Sequence, residues 1–342
     1  MKILSSIGPN AKDDKIIDSM IEGGTNIFRF NLSHGDLHTM EEKIKYIRGK
    51  NRKIEILADL QGNKVRIDKA FQDERKVQIG EEVCFSSGGY FKGAENKKGL
   101  IPLNFQGEFS KLYGVRKILM KDGTMEFSVI GVNKEKETIK AVVEKGGIIR
   151  QEKGVNVINM DREGQTMTSK DKEDIAWALR NNVDTICISF VAGEEEVNEI
   201  KETIKNIKRR EKLSCNPQIW AKIECREGVE NFKEISKRVD GIVIGRGDLC
   251  SEIPMISVPP VEEYIIEVMR KTKKDIIIAT HVLDSMKYNK SPNLSEIESI
   301  YSFIKKGVTG FMLCGETNVG KYPVETVRTL KELINMYYEN LL

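Results

Sequence analysis

The sequence predicts an α/β protein, a (β/α)8 or TIM barrel of parallel strands with an all-β domain inserted after its third strand. Three observations point there. Short apolar runs alternate with amphipathic helical segments eight times along the chain. Polar and charged residues gather at one end of nearly every run, where parallel α/β architectures place their ligand crevice. One stretch, residues 67–154, loses this rhythm, and taking its 88 residues from the 342 leaves 254, close to the ~250 of one barrel. A Rossmann or flavodoxin-like sheet needs fewer strands, and no GxGxxG follows the first run.

Taken in order, residues 2–7 predict the first strand, closed by Gly8-Pro9-Asn10. Residues 13–22 fit a helix with Ile16, Ile17, Met20 and Ile21 on one face, stopped by Gly23-Gly24. The second strand, 26–30, ends among Arg29, Asn31 and Ser33, and the third, 54–57, runs into Asp59-Leu60-Gln61-Gly62. Within 67–154 the pattern becomes short alternating runs broken by Gly, Asn and Lys, with Asp122-Gly123 as a hairpin signal. A helix capped near Thr168–Asp171 restores the barrel rhythm. Strand four spans 185–191 and a charged helix spans 194–211. Strands five and six lie in 219–252, strand seven is 275–279, a helix starts at Pro292-Asn293, and strand eight is 310–313. Pro323 opens a last helix to about 341. The barrel thus takes 1–66 and 155–342, and the insert takes 67–154.

Composition narrows the class. A net charge of +3, without a basic stripe interleaved with aromatics, argues against a nucleic-acid partner. No apolar run approaches the ~20 residues of a membrane helix. The start, MKILSSIGPN, lacks the apolar length and cleavage site of a signal peptide. The six cysteines form no CxxC pair and the histidines are only His34, His38 and His281, so reduced thiols in a cytoplasmic protein are expected rather than disulfides or a zinc site.

The chemistry concentrates in residues 219–252. A strand ends in Lys222-Ile223-Glu224, a polar helix follows, and the next strand stops at Arg246-Gly247-Asp248. Lys222 and Glu224, two apart on a strand, point to one side. A cation beside a carboxylate, with Asp248 after the next strand, suits a divalent metal and an anionic substrate. A buried structural salt-bridge cluster accounts for these residues equally well. Arg29 and Arg66, read alone, are rim salt bridges, and Asp122 a turn residue.

Set in order, the strand tips resemble the pyruvate kinase family. The motifs are Ser6-Ile7-Gly8-Pro9; Phe28-Arg29-Phe30-Asn31-Leu32-Ser33-His34-Gly35-Asp36; Ala58-Asp59-Leu60-Gln61-Gly62-Asn63-Lys64-Val65-Arg66; Ser189-Phe190-Val191; Lys222-Ile223-Glu224; Gly245-Arg246-Gly247-Asp248-Leu249; Ala279-Thr280-His281; and Gly315-Glu316-Thr317. The resemblance implies phosphoryl transfer from phosphoenolpyruvate to ADP. It makes Glu224 and Asp248 ligands of Mg2+ or Mn2+, Lys222 and Arg29 the cations on the phosphoryl group, and Thr280 the residue beside the enolate carbon. Gly247, Asp248 and Ser189 fall on the substrate side, and Asn31, His34, Arg66 and Lys153 on the nucleotide side. Asn31, Ser33, Asp59 and Leu60 match the region where many members hold K+. Lys64 stands where K+-independent members carry Lys, so activity without K+ is expected. The inserted domain matches the family's lid, and Asp122 would come down with it.

Several residues depart from the family pattern. Its Pro-Thr-Arg-Ala-Glu reads Pro292-Asn293-Leu294-Ser295-Glu296, its Gln beside the Thr is His281, its Ser before Gly-Glu-Thr is Cys314, its Gly-Pro is Gly62-Asn63, and its Pro-Gly is Ile158-Asn159. The chain ends near the last barrel helix, so no C-terminal effector domain, no sugar-phosphate activation, and a homodimer through the barrel rather than a tetramer are expected. Two other readings use the same residues: a non-catalytic paralogue that binds phosphorylated ligands or a partner, and a metal-dependent lyase that cleaves C–C bonds through an enolate.

Overall fold

Eight parallel strands close into a barrel in the computed structural model, which describes residues 1–33, 35–105, 107–121 and 123–339, without the side chains of residues 12 and 339. The strands are β1 (Lys2–Ile7), β2 (Ile27–Asn31), β3 (Glu55–Asp59), β4 (Thr185–Ile188), β5 (Gln218–Ile223), β6 (Gly241–Gly245), β7 (Asp275–Ala279) and β8 (Gly310–Leu313). Each pairs in parallel with its sequence neighbour, and β8 returns to β1 through Lys2↔Gly310 to Ser5↔Leu313. The strands are buried on both faces, which is why they read as nearly continuous apolar runs. Leu4, Ile27, Leu57, Trp220, Val243, Ile277 and Met312 pack together as one internal cluster, so the barrel is a filled core and not a channel.

Local chemistry sets where the helices begin and end. Asp13 caps Asp14–Gly23 through the Lys15 N–H at 2.9 Å, and Gly24 closes that helix at φ 119°. Asp36 caps Leu37–Lys50 through Thr39 N–H, and Asn293 with Glu296 forms a capping box on Leu294–Lys306. The helix Val258–Met269, between β6 and β7, has no counterpart in the sequence reading; its signal was proline in the first turn. Strand four is shorter than expected, ending at Ile188, because Phe190 is buried in a left-handed conformation at φ 56° that no strand can continue through. Among the described residues no helix is long and apolar enough to cross a membrane.

The chain divides into two compact units. The barrel unit is Met1–Gly62, Ser169–Gly247 and Ile256–Leu342, and the second is Asn63–Thr168 with Asp248–Met255, wider than the 67–154 read from the sequence. The second unit holds a six-stranded sheet and an antiparallel pair, Arg75–Val77 with Gly147–Ile149. Phe85 and Phe127 meet edge-to-face at 5.3 Å in its core, beside Ile101, Ile118 and Val143. Lys117–Met120 and Met125–Asn133 pair as the anticipated hairpin, although Asp122 lies outside the described residues. Short helices also occur in the unit, among them Gly88–Gly93, started by the Ser87 hydroxyl. Asn159, where the family pattern has glycine, sits at φ 66°, a conformation asparagine tolerates better than most residues.

Gly62 is a point where only glycine serves. It follows β3 at φ 62°, a Cβ there would lie 2.1 Å from the Ser189 carbonyl oxygen, and its N–H donates to Asp171 Oδ1 at 3.1 Å. Gly62→Ala is expected to destabilise the protein by about 2 kcal/mol or more, from left-handed strain and backbone displacement together. Urea unfolding checks this; a loss under ~0.5 kcal/mol would mean the Ser189 segment yields freely.

Candidate active site

The polar ends of β1 to β5 converge on one connected cluster. Arg29, from β2, donates from Nε and Nη2 to Asp59 Oδ2 at 2.7 and 2.6 Å. Its Nη1 donates to Ser6 Oγ at 2.9 Å. Asp59, at the end of β3 and 1% exposed, also faces Lys222 Nζ at 3.3 Å. Lys222 then reaches Glu224 Oε1 at 3.2 Å, as expected of residues two apart at a strand's end. Glu224 Oε2 accepts the N–H of Phe190 at 3.2 Å, so the left-handed turn that shortens β4 also orients this carboxylate. The Ser189 hydroxyl lies 2.7 Å from Leu60 O and 3.1 Å from Asp59 Oδ1.

Arg29, Asp59 and Lys222 hold one another ionised. Burial acts to lower the basicity of Lys222 and Arg29, but the adjacent carboxylates outweigh it and raise both above their ordinary values. Burial acts to raise Asp59, and Lys222 and Arg29 overcome it and hold the carboxyl below the usual carboxylate range. Cys187 and Cys314 lie beside the cluster; burial pushes both thiols up, so they stay protonated and are poor nucleophiles.

Space for the Glu224 carboxylate comes from Gly245, the last residue of β6. A Cβ there would lie 2.5 Å from Glu224 Cγ and 2.6 Å from its Oε1. Gly245→Ala is therefore expected to displace Glu224 and lower turnover by about 10²-fold, the usual result of a misplacement near 1 Å, with a smaller loss of stability. Steady-state kinetics beside urea unfolding checks this, and unchanged turnover would show that the Glu224 position does not matter.

A second group joins β6 to β7. Gly247 N–H donates to Thr280 Oγ1 at 2.7 Å, and Arg246 donates to the carbonyls of Thr280 and His281. Asn31 Oδ1 accepts the Ser33 N–H at 3.0 Å. His34 lies outside the described residues.

The remaining predicted residues belong to the second unit. Asp248 receives Lys64 Nζ on both oxygens, at 2.7 and 2.8 Å. Arg66 donates from Nη1 to Glu152 O at 3.0 Å, its buried Nε has no hydrogen-bond partner among the described residues, and burial depresses its basicity. Lys153 donates to Ile148 O, and burial, with Lys121 and Arg150 adding to it, lowers its basicity. Of the expected ligand pair, Glu224 thus falls in the barrel unit and Asp248 in the second.

Sequence reasoning quoted Ser6 and Thr317 only inside motifs and gave them no task. Thr317 Oγ1 accepts the Ser6 N–H at 2.9 Å, fastening the tip of β1 to the segment after β8. The Ser6 hydroxyl spends its one proton on Leu313 O at 2.9 Å, so toward Arg29 it can only accept. The buried Glu316 accepts the N–H groups of Leu283 and Cys314, tying the loops after β7 and β8. Their signal was position: polar residues directly after apolar runs.

A model of the pyruvate kinase barrel domain matches residues 1–327. The chain belongs to the pyruvate kinase family. It is 33% identical over 350 residues to a pyruvate kinase of Clostridium perfringens, covering 99% of this chain and 70% of that protein. It is 32% identical over 336 residues to one of Sporosarcina psychrophila, covering 97% and 56% respectively. A pyruvate kinase of Thermotoga maritima is 33% identical over 336 residues, covering 97% and 70%. The chain therefore spans a little over half to about two thirds of its relatives' length. Leu294, where the family pattern has arginine, is 69% exposed at the start of its helix.

Proposed function

We propose that this chain transfers the phosphoryl group of phosphoenolpyruvate to ADP. The observation that carries this reading is the Arg29–Asp59–Lys222–Glu224 cluster at the strand ends, two cations and two carboxylates within direct contact. Phosphoryl transfer asks for charge neutralisation and in-line positioning more than for covalent help. Arg29 presents a planar fork of donors suited to a phosphate. Lys222 offsets negative charge on the moving phosphoryl group and on the enolate oxygen it leaves. Thr280 and the Gly247 N–H serve the enolate and carboxylate end of the substrate, and Asn31, His34, Arg66 and Lys153 serve the nucleotide.

The donor set suits a hard divalent ion. Glu224 is a buried carboxylate, and the described residues hold no group of three or more His, Cys, Asp or Glu able to cage a metal. Mg2+ is commonly held in this way, by one or two carboxylates with substrate oxygens completing the shell. Glu224, and Asp248 by the family resemblance, would hold Mg2+ or Mn2+. When bound, the ion supplies Lewis-acid stabilisation of phosphoryl and enolate oxygens. Two cations and two carboxylates sum to zero, so a divalent ion leaves the cluster net positive for an anionic substrate.

Pyruvate formation from phosphoenolpyruvate, ADP and Mg2+, followed through a coupled dehydrogenase, tests the reading. ADP-dependent turnover supports it; metal and phosphoenolpyruvate binding without turnover would favour a non-catalytic paralogue, and C–C cleavage without ADP a lyase. Lys64 stands at the sequence position where K+-independent relatives carry Lys, and a fixed ammonium can substitute electrostatically for a mobile cation. Turnover is expected to persist when Na+ replaces K+, and a strict K+ requirement would exclude that role for Lys64.

A further inference from the structure

Thr280 and His281 are consecutive non-glycine residues in the left-handed region, at φ 63° and 52°. For a β-branched residue such as threonine this is an outlier, and it persists only where the surroundings over-determine it. Arg246 supplies those surroundings. Its Nε and Nη2 lie 3.1 and 2.7 Å from the Thr280 carbonyl oxygen, and Nη2 lies 2.6 Å from that of His281. The guanidinium is itself fixed, with the Phe303 ring centre 5.3 Å away and Glu262 Oε1 at 3.9 Å. The next residue along, Gly247, donates its N–H to the Thr280 hydroxyl, which donates to Ala279 O at 2.5 Å. Adjacent residues after β6 therefore grip one residue after β7 twice, once by its carbonyl and once by its hydroxyl.

We propose that Arg246 is a positioning residue for the substrate end of the site, holding the Thr280–His281 backbone left-handed so that the Thr280 hydroxyl stays beside Gly247 N–H. This rests on the kinase reading, in which those two groups face the substrate's enolate and carboxylate. A carboxylate arriving at Gly247 takes the N–H away from Thr280, and the carbonyl clamp then keeps the hydroxyl in place. Lysine cannot replace the clamp, because one nitrogen on a flexible stem lacks the planar fork that spans two carbonyls.

Arg246→Lys and Arg246→Ala test this through three readouts: exchange of the Gly247 amide by NMR, steady-state kinetics, and urea unfolding. The amide is expected to exchange at least ~10-fold faster in both variants, since its acceptor is no longer held in place. Turnover is expected to fall by roughly 10- to 100-fold with little change in KM for ADP, and added guanidinium to restore part of it in Arg246→Ala. Unchanged Gly247 exchange would overturn the proposal. So would a loss of turnover that follows the loss of stability and is not restored by guanidinium. If the parent protein forms no pyruvate, the kinase reading fails separately, and Gly247 exchange still decides whether the clamp exists.

Discussion

Lys222→Met is expected to lower turnover by about 10³-fold, the largest catalytic effect among the predicted variants. Methionine keeps the length and most of the volume of lysine and removes only the ammonium. That ammonium contacts both Asp59 and Glu224, at 3.3 and 3.2 Å. Losing a preorganised positive group aimed at developing negative charge costs roughly 10²- to 10³-fold in comparable sites. The variant should also lose about 3 kcal/mol of stability, because two buried carboxylates lose a shared partner. Turnover, urea midpoint and Mn2+ binding together separate the effects. Loss of turnover with Mn2+ binding kept within a few-fold is the expected result; turnover within ~10-fold of the parent would remove Lys222 from the mechanism.

Asp59→Asn carries the largest expected loss of stability, about 3–5 kcal/mol. The side chain keeps its shape but withdraws the carboxylate on which Arg29 and Lys222 both rest. Two buried cations then face each other, with Glu224 the carboxylate left in the cluster. Turnover should drop by roughly 10- to 100-fold as both lose their fixed positions. The pH dependence follows from the direction of the Asp59 shift. Its folded-state value is depressed, so the stability it contributes is fully present above the unfolded value of ~3.9 and disappears as pH falls through the folded value. The gap between parent and variant should be widest near neutrality and close below about pH 4. A gap that does not change with pH would show that the Asp59 charge is not what stabilises the cluster.

Much of the barrel was legible because each strand is a short apolar run bounded by charge or glycine. β7 and β8 fell where the sequence placed them, at 275–279 and 310–313. The helix Glu194–Glu211 also matched to the residue, since its acidic first turn and basic last turn mark both ends. Strand four was overextended because Phe190 and Val191 continue the apolar run past Ser189, while Phe190 turns left-handed. That turn answers to Glu224, 34 positions away, and no local window contains the reason. The helix Gly88–Gly93 was hidden by three glycines in a stretch that otherwise reads as loop.

By itself the sequence determined the order of the barrel strands, their apolar character, and the residues offered at the strand ends, because periodicity and strand-end chemistry are local properties. Lys222 and Glu224 were a pair on paper, being two apart in an extended run. Only the tertiary structure decided that Asp59 lies between Arg29 and Lys222, that Thr317 anchors Ser6 beneath Arg29, and that Arg246 clamps Thr280. Those partners are separated by 30 to 311 positions along the chain. What brings them together is barrel closure, which sets strand ends distant in sequence side by side and leaves their buried charges to pair with whatever faces them.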